Sequence, residues 1–148
     1  MTRGITILLP TFNEAGALPG VVESLPLKEL REAGWSPRIV VADGRSTDGT
    51  QELVTEMGLE LIVQGPPSGK GFGMREAFAR FLTHDDELLV MLDADGTYAP
   101  KDMLRLIQHL ERGEYDVVIG SRLRGKIQPG AMSRMNWIGN HILTWCAV

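Results

Sequence analysis

The chain has 148 residues, of which 43% are hydrophobic, a length and composition that suit one domain built around a single core. Its net charge of -4 argues against a general nucleic-acid-binding protein, which would present a basic face, so no nucleic-acid partner is expected. The single cysteine, Cys146, excludes an internal disulfide and favours a reducing compartment, and no apolar run is as long as a membrane span.

Apolar runs alternate with helical stretches along most of the chain. The runs predict five strands, at residues 5–9, 38–42, 59–63, 88–92 and 116–120. Capping and stop signals predict helices over residues 14–33 (capped by Asn13, with a late start or an interruption at Pro19-Gly20), from the loop 43–50 to residue 57, over residues 74–82 and over residues 100–112. Strands that alternate with helices at this spacing predict an α/β fold with a mostly parallel sheet.

The fourth predicted strand leads directly into two carboxylates. Residues 88–92 are all apolar, as expected for a central strand covered on both faces, and Asp93 and Asp95 follow. Side chains two residues apart on an extended segment point to the same side, so these carboxylates can converge beyond the strand. Paired hard oxygen ligands suit Mg²⁺ or Mn²⁺. An Asx turn at Asp95-Gly96 explains the same residues without any ligand.

Acidic residues also follow the first two strands. Glu14 lies in the first loop, Asp43 opens the second, and Arg122 follows the fifth predicted strand. In a doubly wound sheet the loops at the carboxyl ends of the strands line one crevice. Such a crevice, with acids, a metal pair and an arginine, suits a nucleoside diphosphate. The acidic run 85–87, which precedes the fourth strand, is instead interpreted as a solvated turn.

From residue 121 onward the sequence becomes basic and then rich in methionine and tryptophan. Residues 131–148 mix apolar and polar side chains in a pattern that suits an amphipathic helix. We therefore expect a ligand-binding domain over residues 1–130, with residues 131–148 as a helix belonging to the same domain. Two interpretations of this helix stay open: peripheral contact with a membrane, or docking on the sheet or on further chain.

Five motifs, in their order along the chain, resemble those of the family 2 glycosyltransferases, which have the GT-A fold. They are Pro10-Thr-Phe-Asn-Glu14, Asp43-Gly-Arg-Ser-Thr-Asp-Gly-Thr50, Gly69-Lys-Gly71, Asp93-Ala-Asp-Gly96 and Gly120-Ser-Arg122. Within that family the chain is most similar to the dolichyl- and polyprenyl-phosphate hexosyltransferases. The resemblance implies a Rossmann-like sheet flanked by helices and, because family members usually continue further, a chain truncated at its C-terminus.

The resemblance also implies roles for individual residues. The implied substrate-binding residues are Pro10, Phe12, Glu14, Asp43, Asp93, Ala94, Asp95 and Arg122. Among these, Glu14 would lie near the ribose or base and Asp43 would hold the base. Asp95 would be the more direct ligand of Mg²⁺ or Mn²⁺, together with Asp93 and Thr97. Asp95 and Arg122 are the implied catalytic residues, with Arg122 facing phosphate. Relatives commonly have two adjacent acids where this chain has Asp43 followed by Gly44.

The function implied is metal-dependent, inverting transfer of a hexose from a nucleotide-diphosphate sugar, GDP- or UDP-linked, to a polyprenyl phosphate. This predicts a cytoplasmic enzyme at the cytoplasmic face of a membrane. Three alternatives stay open: a family 2 transferase with a soluble or glycan acceptor, a non-catalytic nucleotide-sugar-binding domain, and a nucleotidyltransferase.

Overall fold

The computed structural model describes residues 3–66, 69–121 and 138. Its described strands form one parallel sheet in the order β3-β2-β1-β4. The strands are β1 (Arg3–Thr11), β2 (Trp35–Asp43), β3 (Glu60–Val63) and β4 (Leu88–Met91). The helices are α1 (Leu18–Glu23), α2 (Leu27–Glu32), α3 (Thr50–Glu56), α4 (Lys70–Phe81) and α5 (Met103–Glu111), which follows a 3₁₀ turn at Pro100–Asp102. The predicted α/β fold with a parallel sheet is therefore confirmed.

The larger core lies on one face of the sheet. Alternate residues of β1, namely Ile5, Ile7 and Leu9, are fully buried, as the period-2 geometry of a strand requires. They belong to one cluster with residues from four helices: Leu18, Val21, Leu30, Val54, Met103 and Ile107. Helices α1, α2, α3 and α5 thus cover this face.

The opposite face has a smaller core. Leu8, Val40 and Ile62 come from three neighbouring strands and pack against Ala77 of α4. The expectation that β4 is covered on both faces is wrong for the described part of the chain. Met91 is 49% exposed, and β4 pairs there with β1 alone.

The chain divides into two compact units, Met1–Ile107 and Gln108–Val148. The fifth strand predicted at residues 116–120 is wrong: this segment is irregular, with Val117 and Ile119 73% and 83% exposed. β-branched residues form a strand only when a neighbour supplies ladder hydrogen bonds and covers one face, and no described residue does so here. The predicted boundary at residue 130 lies outside the described residues.

The helix predicted over residues 14–33 is two helices. Pro19 belongs to the first turn of α1, where its missing N–H needs no partner, so of the two alternatives at Pro19-Gly20 the late start is confirmed and the interruption is wrong. The break comes at Pro26, which lies between α1 and α2 and cannot donate to a preceding carbonyl. Asn13 is not the predicted cap, since the residue preceding α1 is Ala17.

Across the described part of the chain, no helix combines the length and the apolar character that crossing a bilayer requires.

Candidate active site

The strand order places a switch point between β1 and β4. From β1 the chain moves outward to β2 and β3, and then returns to the other side of β1 as β4. Open parallel sheets bind ligands outside the carboxyl ends of the strands at such a point. The loops 12–17, 44–49, 64–66 and 92–99 leave this edge, and we call them the rim. Glu14, Asp43, Asp93 and Asp95, predicted from distant parts of the sequence, thus share one edge of the sheet.

Three hydrogen bonds fasten the first loop of the rim to the second, and a fourth joins it to Thr50, the first residue of α3. The Asn13 side chain accepts from the N–H of Thr47 (2.9 Å), and the N–H of Asn13 donates to Oγ of Ser46 (2.8 Å). The N–H groups of Glu14 and Ala15 donate to Oγ1 of Thr50 (3.1 Å) and Oδ2 of Asp48 (3.0 Å). These bonds hold Asn13 in a left-handed conformation, with φ of 58°.

Asp48 also receives a hydrogen bond from the hydroxyl of Thr50. That bond, together with the N–H donors of Ala15 and Thr50, lowers the pKa of Asp48 below its ordinary value. The carboxylate of Asp48 also accepts from the N–H of Thr50, the first residue of α3, while the N-cap position of that helix is Gly49.

Asp43 is a buried carboxylate, 1% exposed, whose oxygens are occupied by protein donors. It accepts from the N–H and hydroxyl of Ser46, from Nε2 of Gln51 (2.7 Å) and from Oγ1 of Thr11 (3.4 Å). In this structure Asp43 therefore orders the second loop. A direct bond from its carboxylate to a base would require one of these donors to leave.

Phe12 and Glu14 present surface to a ligand. The Phe12 ring is 62% exposed, an unusual position for an aromatic side chain, and it lies against the backbone of Gly44. The Glu14 carbonyl accepts from the N–H groups of Ala17 and Leu18 and so starts α1. Its carboxylate has no hydrogen-bond partner among the described residues and is partly exposed. Pro10 lies on β1, partly buried, level with Ala42 of β2.

The predicted metal pair follows β4 in a tight turn. The N–H of Leu92 donates to the carbonyl of Leu8 (3.1 Å), so the segment stays beside β1 up to Asp93. Asp95 is exposed, and its Oδ1 accepts from the N–H of Thr97 (2.8 Å), with Gly96 at φ of 74°. This is the Asx turn that the sequence offered as the alternative interpretation.

The side chains of this turn supply the kind of oxygen donor that a hard divalent cation prefers. Asp93 is partly buried, Asp95 and Thr97 are exposed, and all three supply oxygen donors. Within the described residues, no group of three or more His, Cys, Asp or Glu side chains is arranged to hold a metal ion. Mg²⁺ and Mn²⁺ at phosphate sites need only one or two carboxylates, since water and phosphate oxygens complete the shell. Two carboxylates and a hydroxyl meet that requirement.

Ala94, between the two acids, is 1% exposed and belongs to the larger core. Its methyl group anchors the turn, and its predicted contact with substrate stays a prediction. Arg122 and all but one residue of the predicted amphipathic helix 131–148 lie outside the described residues; Ile138, the exception, is half exposed.

The sequence did not single out Ser46, Gln51 and Arg45 as residues of the site. Ser46 had a local signal, since an acid three residues before a serine is a common turn arrangement. Gln51 had none, because its bond to Asp43 depends on how α3 packs. Arg45 has φ of 69° and is exposed, and its Nε donates to the carbonyl of Gln64 (3.1 Å).

A parallel sheet flanked by helices, with acidic loops at its switch point, defines a Rossmann-like α/β protein of the GT-A type. The sequence profile of glycosyl transferase family 2 matches residues 6–146, so the chain belongs to this family.

Two curated relatives come from Haloferax volcanii. Glycosyltransferase AglJ is 40% identical over 139 residues, which cover 94% of this chain and 42% of the relative. Low-salt glycan biosynthesis hexosyltransferase Agl6 is 34% identical over 143 residues, which cover 95% of this chain and 33% of the relative. The chain therefore spans less than half the length of these two relatives.

Among solved structures, the chain is similar to glucosyl-3-phosphoglycerate synthase from Mycobacterium tuberculosis, in complex with Mn²⁺, UDP-glucose and phosphoglyceric acid. The TM-score is 0.59, with 22% identity over 76% of this chain and 40% of that one. At this level of sequence identity, the structural similarity supports the fold alone.

Proposed function

We propose that this chain is a metal-dependent hexosyltransferase that moves a hexose from a nucleoside-diphosphate sugar to a polyprenyl phosphate with inversion. The observation that carries the proposal is the shared rim of a family 2 glycosyltransferase, with Glu14 and the pair Asp93 and Asp95 at one switch point. The hexosyltransferase name of Agl6 supports the class of sugar. The motifs similar to polyprenyl-phosphate enzymes support the acceptor, and in this proposal the enzyme acts at the cytoplasmic face of a membrane.

In this proposal the first two loops bind the nucleoside. The exposed Phe12 ring offers a flat apolar surface on which a base stacks. The Glu14 carboxylate accepts hydrogen bonds from ribose hydroxyls. The four hydrogen bonds that tie the first loop to the second loop and to Thr50 preorganise both contacts, so little loop ordering remains when the donor binds.

The turn after β4 binds the diphosphate. Asp93, Asp95 and Thr97 would hold Mg²⁺ or Mn²⁺, which stabilises the negative charge that develops on the departing nucleoside diphosphate. The relative solved with Mn²⁺ and UDP-glucose supports a divalent cation and a nucleotide-sugar donor. Arg122, in the proposed site, binds phosphate through charge-assisted hydrogen bonds.

The transfer itself needs no strong base from the protein. An acceptor phosphate oxygen forms a bond to C1 of the hexose while the bond from C1 to the donor phosphate breaks. The electron pair leaves with the nucleoside diphosphate, and attack from the opposite face inverts C1. The acceptor phosphate has its second pKa at about 6 and is largely dianionic at neutral pH, so it attacks without losing a proton.

The test incubates the protein with radiolabelled UDP- and GDP-hexoses and polyprenyl phosphate, with and without EDTA, and follows labelled lipid. We expect one donor to be used, EDTA to abolish transfer, and Asp95→Ala to lower both transfer and Mn²⁺-dependent UDP or GDP affinity by about 100-fold. Asp85→Ala serves as the matched control, since Asp85 is an exposed acid before β4, at the opposite end of that strand.

The outcomes separate the alternatives. Transfer to a sugar acceptor without lipid would replace the polyprenyl phosphate by a soluble or glycan acceptor. Donor binding without turnover on any acceptor would indicate a non-catalytic domain, and release of pyrophosphate would indicate a nucleotidyltransferase. Unchanged Mn²⁺-dependent affinity in Asp95→Ala would refute the role of Asp95.

A further inference from the structure

We propose that Arg45 selects the base of the nucleotide donor, by donating hydrogen bonds to a base that presents carbonyl oxygens. The inference rests on the proposed function, because it assigns a residue to the donor site. It is not implied by the family motifs, where the second loop has acids at its start.

The conformation of Arg45 is fixed and strained. Its φ of 69° lies in the left-handed region, which non-glycine residues rarely adopt and which persists only when surrounding structure enforces it. Its Nε donates to the carbonyl of Gln64, whose own N–H donates to the carbonyl of Asp43 (2.9 Å). The guanidinium is therefore tied to the loop after β3 while its backbone stays on the loop after β2.

This anchor leaves the outer donors of Arg45 available. Nη1 and Nη2 have no partner among the described residues, and the side chain is exposed. Arg45 is also the one basic side chain within the described rim, whose other charged residues are Glu14, Asp48, Asp93 and Asp95. An exposed arginine whose Nη1 and Nη2 groups can still donate is suited to bind a ligand that has acceptor oxygens.

The place of Arg45 points to the base as that ligand. Its neighbour Gly44 is so close to the Phe12 ring that a Cβ there would lie 3.4 Å from Cδ2 of the ring. A base stacked on Phe12 therefore lies beside the segment that carries Arg45. The acidic residue expected to hold the base, Asp43, already has its oxygens occupied, so the base edge needs another polar partner.

The chemistry of arginine then predicts which bases bind. Its parallel N–H donors match adjacent acceptors such as O6 and N7 of guanine, or a carbonyl such as O4 of uracil. Cytosine and adenine present an amino donor at the corresponding position, which would face another donor. UDP and CDP are the most direct comparison of a carbonyl with an amino group, because their bases differ only in the group at position 4 and in the protonation of N3.

The experiment measures binding of UDP, GDP, CDP and ADP by calorimetry at fixed Mn²⁺, for the wild-type chain, Arg45→Gln, Arg45→Gly and the control Arg31→Gln, an exposed arginine on α2. Wild type and control should bind UDP or GDP at least about 10-fold more tightly than CDP and ADP. Both Arg45 variants should lose that preference by weakening the favoured nucleotide about 10-fold or more, with CDP and ADP bound no more weakly than by wild type.

The Arg45→Gly variant separates a loss of base preference from a loss of folding. Glycine adopts φ of 69° without strain, which offsets the lost bond from Nε to the Gln64 carbonyl, so this variant should melt close to wild type while it loses the base preference. An unchanged preference in both Arg45 variants would overturn the assignment and leave the proposed function standing. If the wild type binds none of the four nucleotides, both the assignment of Arg45 and the proposed function would be refuted.

Discussion

Among single residues, Asp43 shows how a carboxylate predicted to bind a ligand can instead hold the loop that surrounds the ligand. Burial of a charge is unfavourable unless hydrogen bonds replace water. Ser46, Gln51 and Thr11 supply those bonds here, and they come from three different segments of the chain. Asp43 thereby links the end of β1, the second loop and the start of α3.

This role predicts that Asp43→Asn destabilises the protein. An asparagine has one acceptor oxygen and a donor amide, and it carries no charge. Its amide must replace either Oδ2, which accepts from the N–H of Ser46 and from Gln51, or Oδ1, which accepts from the hydroxyls of Ser46 and Thr11. We expect the free energy of unfolding to fall by about 2 kcal/mol, measured by urea denaturation. Asp102→Asn, at an exposed acid, should change it by less than about 0.5 kcal/mol. Equal stability of the two variants would contradict the structural role.

At the level of the elements, one arginine joins three parts of the sheet at the end opposite the rim. Arg38 of β2 donates to Glu60 of β3 (2.7 Å), to Thr6 of β1 (2.8 Å) and to Asp86 just before β4 (2.8 Å). Burial alone would lower the pKa of Arg38, but the bonds to Asp86 and Glu60 raise it above its ordinary value. The acidic run 85–87 is thus not simply a solvated turn, since the Asp86 side chain is 16% exposed and paired.

The same network makes stability depend on Asp86 ionisation. Burial would raise the pKa of Asp86, yet the hydrogen bonds from Thr6 and Arg38 and the charge of Arg38 hold it below the ordinary 3.8. The group therefore stabilises the fold fully above pH 3.8, and that contribution is lost as the pH falls through the lower pKa of the folded state.

We expect Asp86→Asn to lower the free energy of unfolding by about 2 kcal/mol at pH 7, and this difference from wild type to shrink below pH 3.8. Urea denaturation at a series of pH values measures it. Glu87→Gln is the adjacent control, because the Arg3–Glu87 pair is about half exposed and should contribute less than about 1 kcal/mol. A difference for Asp86→Asn that does not change with pH would rule out the ionised pair as its cause.

For the molecule as a whole, the two faces of the sheet contribute unequally to stability. The face that carries Ile7 is covered by four helices, whereas the face that carries Met91 is covered by α4 and leaves Met91 half exposed. Side chains on the first face should therefore account for most of the hydrophobic stabilisation.

Alanine substitutions at these two positions test that asymmetry. Ile7→Ala should cost about 3 kcal/mol, because it opens a cavity among residues that cannot collapse into it. Met91→Ala should cost about 1 kcal/mol or less, since half of the side chain is already in water. Both losses of unfolding free energy are measured by urea denaturation, from the midpoint of the transition and its slope. Comparable losses would show that the second face is as well packed as the first.

The sequence by itself determined the α/β class, four of the strands and the edge at which the acidic loops meet. Apolar runs of period 2 and helix signals are local, and parallel strands bring their carboxyl ends to one side whatever their order. It also determined the family, because five short motifs recur in a fixed order.

Only the tertiary structure decided the strand order, the break at Pro26, the absence of a ladder at residues 116–120 among the described residues, and the partners of Asp43, Arg45 and Asp86. Each of these depends on which groups, distant along the chain, compete for the same hydrogen bonds and the same buried space. That competition is settled when the elements pack, and no local pattern of residues encodes its outcome.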